Sequence, residues 1–228
     1  DMAQKISLFC NVRPEAVVEE RDVDFSIYEV PKDLIEAGLD RLVAERLGLP
    51  LDVTTRLDDW RTMLADIKAT KDTCEIAIVG KYIELNDAYK SIYESLSHAG
   101  IANKCKIVLR KIRAEDVTSA GLKLLEGVDG ILVPGGFGER GIEGKIAAIR
   151  YAREHGIPFF GICLGMQCAV IEYARDVLGL EGAHTLEHSP HSPHPVISLM
   201  EGQEGANKGG TMRLGAYACR LEAGSLAQ

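Results

Sequence analysis

From residue 74 onward, short runs of β-branched residues alternate with amphipathic helical segments, and this alternation constrains the fold more than any other feature. The pattern predicts four strands, at residues 75–79, 106–109, 130–133 and 157–162. Between them it predicts one helix from Asp87 to Gly100 and another over residues 142–155. Alternating strands and helices are typical of a mostly parallel sheet covered by helices. We therefore expect a doubly wound α/β domain with flanking helices.

A further helix follows the last of these strands and is predicted to end at Gly179. Its apolar residues recur at helical spacing and are predicted to pack into the core: Met166, Ala169, Val170, Tyr173, Ala174, Val177 and Leu178. Beyond the helix, residues 195–200 and 211–221 are predicted to add antiparallel strands.

The first 73 residues do not follow this alternation. Residues 5–12 indicate a buried strand, although so short a leading segment offers it no sheet to join, which suggests a fragment. Pro31 and Gly48 are predicted to bound one helix, and residues 49–73 are polar and weakly periodic. We expect a remnant of one domain at 1–30, a helix and linker at 31–73, and a C-terminally incomplete domain at 74–228.

The composition excludes several classes of protein. With 228 residues and 46% apolar content, the chain can bury a core. A net charge of −8 and no basic cluster argue against nucleic-acid binding. No apolar run approaches the ~18 residues of a membrane span. The 6 cysteines are scattered without C-x-x-C pairs, which favours free thiols and a cytoplasmic location.

Residues 161–165 (Gly-Ile-Cys-Leu-Gly) lie between a predicted strand and a predicted helix. The G-x-C-x-G pattern is the thiol counterpart of the G-x-S-x-G nucleophile elbow. A tight strand-to-helix turn strains the backbone, so both glycines are steric requirements. The helix N-terminus favours a thiolate at Cys163, and the Leu164 N–H can serve as an oxyanion donor. The other five cysteines fit small buried apolar residues.

Residues 134–138 (Pro-Gly-Gly-Phe-Gly) follow a second predicted strand, so this glycine loop can approach the elbow. Its exposed N–H groups suit a second oxyanion donor or, equally, a phosphate. Four histidines also cluster in the sequence, at His184, His188, His191 and His194. Intervening prolines deny them a common helical face, so we expect loop residues and no metal site.

Four motifs together resemble the CTP synthase family. They are residues 80–90 (GKYIELNDAYK), 132–138 (LVPGGFG), 161–168 (GICLGMQC) and 209–215 (GGTMRLG). The resemblance covers nearly the whole chain. It implies that residues 74–228 form most of a class I glutamine amidotransferase domain of flavodoxin-like fold, and that residues 1–30 end an amidoligase domain.

The resemblance also implies roles for particular residues. Cys163 would attack the carboxamide of L-glutamine and form a thioester. The remaining implied glutamine-site residues are Gly136, Leu164, Gly165, Met166, Gln167 and Glu187. Residues that would contact nucleotide in the remnant are Lys5, Arg21, Asp22 and Val23. The complete enzyme would use ATP and magnesium to convert UTP to CTP, bind CTP and GTP, and form a homotetramer.

One part of the family pattern is missing from the sequence. The family places the histidine base and its carboxylate in an H-x-E sequence, and none occurs in these 228 residues. The segment at 201–208 is also shorter than in the family, and the segment at 22–28 is one residue longer than the usual family spacing. Three interpretations stay open: the glutamine-hydrolysing part of a CTP synthase, a non-catalytic structural or regulatory fragment, and a stand-alone cysteine hydrolase.

Overall fold

The computed structural model describes residues 2–51, 56–198, 216 and 218–225. The chain divides into two compact units. The first comprises residues 1–74 and 91–107, and the second comprises residues 75–90 and 108–228. In the described part of the chain, no helix has the length and apolar character needed to cross a membrane.

Helices dominate the first unit. In chain order they are α1 (Met2–Cys10), α2 (Val30–Glu36), α3 (Leu39–Leu47), α4 (Asp58–Ala69) and most of α5 (Lys90–Ala102). Short 3₁₀ turns occur at Pro14–Ala16 and Ile27–Glu29.

The strand expected at residues 5–12 is wrong, because this segment forms α1. Only Ser7 of the helix is buried, and Leu8 and Phe9 are largely exposed. A strand without a sheet leaves its backbone groups unpaired, whereas a helix satisfies them within the segment.

The helix expected between Pro31 and Gly48 is two helices. Gly38, with φ of 83°, separates α2 from α3, and this left-handed backbone cannot continue a right-handed helix. Gly48 ends α3 with φ of 64°, as predicted.

The segment assigned as a linker contains α4, which the weak periodicity did not predict. Asp58 and Asp59 lie in its first turn and Lys68 in its last turn, which complements the helix dipole. Leu64 is buried, and the Trp60 indole donates a hydrogen bond of 2.6 Å to the carbonyl oxygen of Tyr28. Tertiary contacts of this kind stabilise a helix whose sequence pattern is faint.

Four strands form the main sheet: β1 (Thr73–Gly80), β2 (Lys106–Arg113), β3 (Gly130–Val133) and β4 (Phe159–Gly161). Their order is β2-β1-β3-β4. Strand β3 is parallel to both neighbours, with Ile76 opposite Gly130 and Ile131 opposite Phe159. The helices of the second unit are α6 (Ala114–Ser119), α7 (Ile142–His155) and α8 (Leu164–Glu172), the last continuing as a π-helical turn at Tyr173–Val177.

The core of the second unit lies between the sheet and these helices. Its buried members come from β1, β3, α7 and α8 and include Ala77, Val79, Ile131, Val133, Ile142, Ile146, Ile149, Leu164, Cys168 and Ile171. An ion pair also joins two helices, since the exposed Arg153 of α7 lies 2.8 Å from the buried Glu172 carboxylate of α8. The predicted α/β fold with a parallel sheet is therefore confirmed.

The packing predicted for α8 and its extension is largely wrong. Five of the seven residues expected in the core are between 39% and 60% exposed: Met166, Val170, Tyr173, Val177 and Leu178. The buried face instead carries Leu164, Cys168 and Ile171, while Ala174 is buried as predicted. The helix is apolar around most of its circumference, so periodicity alone could not select the buried face.

A small second sheet pairs β5 (His184–Thr185) with β6 (Pro195–Ile197). The two strands are parallel, so the antiparallel orientation expected for this region is wrong. The strand expected at 211–221 falls mostly outside the described residues.

Other element ends differ from the sequence prediction. Helix α5 continues through Gly100 to Ala102, because this glycine allows close packing: a Cβ there would lie 2.5 Å from the Cys105 carbonyl oxygen. Strand β2 is longer than predicted and β4 is shorter. Strand β3 and helix α7 have the predicted bounds.

Candidate functional site

Cys163 lies at the junction between β4 and α8. Strand β4 ends at Gly161 and α8 begins at Leu164, so the cysteine caps the helix N-terminus. Its backbone has φ of 53° and ψ of −110°, a conformation that residues with a side chain rarely adopt. Cys163 is exposed. The backbone thus has the strained, solvent-facing geometry predicted for a nucleophile elbow.

Both glycines that flank Cys163 are required by close backbone contacts. A Cβ atom at Gly161 would lie 2.7 Å from the carbonyl group of Gly165. A Cβ atom at Gly165 would lie only 1.9 Å from the carbonyl oxygen of Val133. The absence of side chains therefore lets the first turn of α8 rest directly on β3, as the G-x-C-x-G pattern indicated.

The glycine loop at residues 134–138 meets the elbow. A Cβ atom at Gly135 would lie 3.3 Å from the Cβ and 3.9 Å from the Sγ of Cys163. At Gly136, the corresponding position is 3.9 Å from the Leu164 side chain. The glycine loop therefore approaches the elbow, as expected, at the carboxyl ends of neighbouring parallel strands.

Two side chains from the segment after β1 fix this loop. The ammonium group of Lys81 donates a hydrogen bond of 2.7 Å to the Phe137 carbonyl oxygen. The buried Tyr89 hydroxyl donates to the Gly135 carbonyl oxygen over 3.4 Å and accepts from the N–H groups of Lys81 and Tyr82. Lys81 and Tyr89 were not predicted for the site, although both lie in the motif at 80–90.

The N-terminus of α8 supplies polar groups beside the thiol. The Gly165 N–H donates to the Ile162 carbonyl oxygen at 2.9 Å, and the Gln167 N–H donates to the Cys163 carbonyl oxygen at 3.1 Å. Leu164, the first residue of the helix, has no intrahelical acceptor for its N–H in such a position. Together with the helix dipole, this N–H favours negative charge next to Cys163.

Lys145 of α7 is a further charged residue that the sequence did not indicate. Its side chain is completely buried, and its Nζ lies 3.5 Å from the position of a Cβ at Gly136. Burial lowers the pKa of Lys145, because the charged ammonium is separated from water. Burial also raises the pKa of the neighbouring Cys168 thiol to about 11, so Cys168 is a neutral core residue at physiological pH.

The other residues implied for the glutamine site are spread over the second unit. Met166 is 49% exposed, and Gln167 is half-buried one turn into α8. Glu187 lies in the turn after β5, where its backbone N–H donates to the Thr185 hydroxyl at 3.2 Å. Gly136 and Leu164 thus lie close to each other, whereas Glu187 lies in the turn after β5.

The residues implied for nucleotide binding belong to the first unit, whereas Cys163 belongs to the second. Lys5 and Asp22 are exposed and Val23 is half-buried. Arg21 is exposed and forms an ion pair of 2.7 Å with Glu19.

The clustered histidines follow α8 and its extension. The rings of His184 and His188 meet edge to face at 6.2 Å, and the His184 Nδ1 accepts a hydrogen bond from the Thr185 N–H. Among the residues that the structure describes, no group of three potential metal ligands comes together.

Comparison with known proteins agrees with this geometry. Residues 84–227 match the family profile "Glutamine amidotransferase class-I", and residues 1–49 match "CTP synthase N-terminus". CTP synthase of Moorella thermoacetica is 55% identical over the whole chain, and that of Thermococcus kodakarensis is 55% identical over 99% of it. The chain spans 42% of the length of each of these relatives.

A solved structure is similar as well. It is the glutaminase domain of Trypanosoma brucei CTPS with bound acivicin, which shares 41% sequence identity at a TM-score of 0.53. The match covers 56% of this chain and 50% of that one. The chain therefore belongs to the class I glutamine amidotransferases, and over its whole length it is similar to part of the CTP synthases.

Proposed function

We propose that the second unit hydrolyses L-glutamine as the ammonia-producing part of a CTP synthase. The observation that carries this proposal is the positive-φ backbone of Cys163 at the N-terminus of α8, next to the glycine loop. The match to class I amidotransferases and the acivicin-bound glutaminase relative support the same substrate.

In this mechanism the Cys163 thiolate attacks the carboxamide carbon of glutamine, and the carbonyl oxygen becomes an oxyanion. The N–H groups of Gly136 and Leu164 donate to that oxyanion. The intermediate collapses as the C–N bond breaks, and the leaving nitrogen takes a proton from water and departs as ammonia while a thioester remains. Water then attacks the thioester, which yields glutamate and regenerates the thiol. Gly165, Met166, Gln167 and Glu187 line the proposed glutamine site.

A glutamine-like diazo-ketone tests the nucleophile in the full-length protein. We expect one adduct, located by peptide mass spectrometry on Cys163 and lost in Cys163→Ala. Cys10→Ala is a matched control, because Cys10 is also an exposed thiol but belongs to the first unit. This control should retain full labelling. An adduct that persists in Cys163→Ala would refute the assignment.

The remaining activity is proposed from the relatives. In the complete enzyme, ATP and magnesium would activate UTP for amination to CTP, with CTP and GTP as further ligands. Lys5, Arg21, Asp22 and Val23 are proposed nucleotide contacts of that enzyme. We also propose a homotetramer in the cytoplasm, which sedimentation of the purified protein and fractionation of cells would test.

A second candidate is a non-catalytic structural or regulatory role for the 228 residues by themselves. The lack of an H-x-E sequence favours it, because proton transfer by such a base contributes about 10²–10⁴-fold to catalysis. Ammonia release by the isolated 228-residue chain distinguishes the two. Turnover at the rate of the full-length protein would eliminate the non-catalytic role.

A further inference from the structure

Lys145 is a buried ammonium group without a hydrogen-bond partner in the described part of the chain. Its side chain has 0% exposure, and its Nζ is among the buried polar atoms left unsatisfied there. Burying an unpaired cation destabilises a fold, and side chains of this kind usually sit where a charge is used. The glutaminase mechanism above assigns it no role.

The position of this ammonium is defined by the glycine loop. A Cβ at Gly136 would lie 3.5 Å from the Lys145 Nζ and 3.9 Å from the Leu164 side chain. The same loop, one residue earlier, contacts Cys163. Lys145 therefore lies beside Gly136, a proposed oxyanion donor. The preceding loop residue, Gly135, is the one that contacts Cys163.

Four ionisable groups act on Lys145 from the surrounding elements. Lys81, after β1, disfavours its charge, whereas Glu115 of α6, Cys168 of α8 and Cys163 favour it. The Oε1 atom of Glu115 pairs with Arg140 at 3.2 Å, whereas its Oε2 atom is buried without a hydrogen-bond partner among the described residues. Cys168 stays protonated in the physiological range. Of the two neighbouring thiols, Cys163 is the exposed one at the N-terminus of α8, where the helix dipole favours an anion.

We propose that Lys145 is a positioning residue of the glutaminase site, whose positive charge behind the glycine loop stabilises the Cys163 thiolate and the oxyanion between Gly136 and Leu164. It acts through the loop and through the electric field, because its Nζ is buried beside Gly136 whereas the thiol is exposed to solvent. In a site of low dielectric constant, a fixed charge at this range changes the stability of an anion substantially.

The test measures the pH profile of Cys163 alkylation by iodoacetamide in the full-length protein, with the Cys163 peptide quantified by mass spectrometry. In Lys145→Met we expect the midpoint to rise and the rate at pH 7 to fall by about five- to tenfold, since one pKa unit is a tenfold change in thiolate. Lys145→Arg should retain the wild-type profile within about twofold. A profile unchanged in Lys145→Met would overturn the proposal.

Two matched variants separate this role from other effects. Cys168→Ala removes the neutral thiol and Lys123→Met removes an exposed lysine of the same unit, and both should leave the midpoint of Cys163 close to wild type. If Cys168→Ala lost alkylation to the same extent as Lys145→Met, the loss would be a packing effect and the proposal would be overturned. Glutamine turnover gives a second readout: Lys145→Met should lower kcat with little change in KM, because the oxyanion exists only after attack.

A reciprocal measurement does not depend on the Lys145 variants folding. The thiolate raises the pKa of Lys145, so Cys163→Ser should lower the pKa of Lys145 followed by NMR of isotope-labelled lysine. An unchanged lysine titration would also overturn the proposal.

The inference rests on the proposed role of Cys163, but the two fail separately. A missing diazo-ketone adduct would reject glutamine chemistry while leaving the alkylation shift intact. An adduct combined with an unshifted profile would reject Lys145 alone.

Discussion

The ammonium of Lys81 and the carbonyl oxygen of Phe137 are joined by a hydrogen bond of 2.7 Å, which ties the glycine loop to the segment after β1. This carbonyl belongs to the peptide group between Phe137 and Gly138, next to Gly136 in the loop, so loss of the contact should loosen the loop that carries the proposed oxyanion donor. Misplacing a catalytic group by a small distance lowers turnover substantially.

Replacing Lys81 should therefore lower activity more than stability. We expect Lys81→Met to reduce kcat for glutamine hydrolysis by about tenfold, because the loop loses its restraint. Steady-state ammonia release in the full-length protein measures this change. Lys123→Met is a matched control, since Lys123 is an exposed lysine in the 3₁₀ turn at Leu122–Leu125. Equal losses in the two variants would contradict the role of the Lys81 contact.

The contact between α8 and β3 predicts a large effect at Gly165. Gly165→Ala would place a methyl group 1.9 Å from a backbone oxygen, so the helix must move away from the strand. We expect the free energy of unfolding to fall by about 3 kcal/mol, measured by urea denaturation. Gly136→Ala is the control for stability, because its added Cβ would meet only ordinary contacts of 3.5 Å or more. Similar stabilities of Gly165→Ala and Gly136→Ala would show that α8 tolerates the shift.

Tyr89 should stabilise the site through its hydroxyl group. Tyr89→Phe keeps the ring but leaves two backbone N–H groups and the Gly135 carbonyl without this partner. We expect a loss of about 1–3 kcal/mol in unfolding free energy. Tyr173→Phe, at a tyrosine that is 51% exposed, should change stability by less than about 0.5 kcal/mol. Thermal and chemical denaturation of both variants provide the comparison.

Alkaline pH should destabilise the fold through Cys168. Its pKa is raised by burial from 9.0 to about 11, so between these values the folded state holds a proton that the unfolded chain releases. The stability that this group contributes is fully present below pH 9. About 3 kcal/mol of unfolding free energy is lost as the pH rises through 11.

We would measure the unfolding free energies of wild type and Cys168→Ala between pH 8 and 11. The difference between the two proteins gives the contribution of Cys168. The variant should lose less stability over this range. Lys145 acts with the opposite sign, since its lowered pKa makes stability rise with pH up to the ordinary lysine value of 10.5. Because Cys168 favours the charge of Lys145, the difference between the two proteins includes the coupling between these groups. Parallel curves for the two proteins would rule out the contribution of Cys168.

The sequence predicts those parts of the structure that local patterns determine. Strand β3, helix α7 and the elbow at Cys163 follow from β-branched runs, helical periodicity and paired glycines, and the structure places them as expected. The buried face of α8 could not be predicted, because most of that helix is apolar and only packing against the sheet selects Cys168 over Val170.

Long-range contacts explain what was missed in the site. Lys81 and Tyr89 come from the segment after β1 and Lys145 comes from α7, and no spacing rule connects these residues with Cys163. Their relation to the glycine loop appears only once the parallel sheet brings the strand ends together. Helix α1 is a comparable case, since a strand-like composition forms a helix there and none of the described strands pairs with it.

The unusual backbone of Cys163 makes the thiol a sensor of local folding. Its left-handed conformation is held by the packing of Gly161 against Gly165 and of Gly165 against Val133. If the first turn of α8 unwound, the cysteine would relax to an ordinary conformation and lose the helix N-terminus that favours its anion. The alkylation rate of Cys163 would then indicate whether α8 is packed against the main sheet.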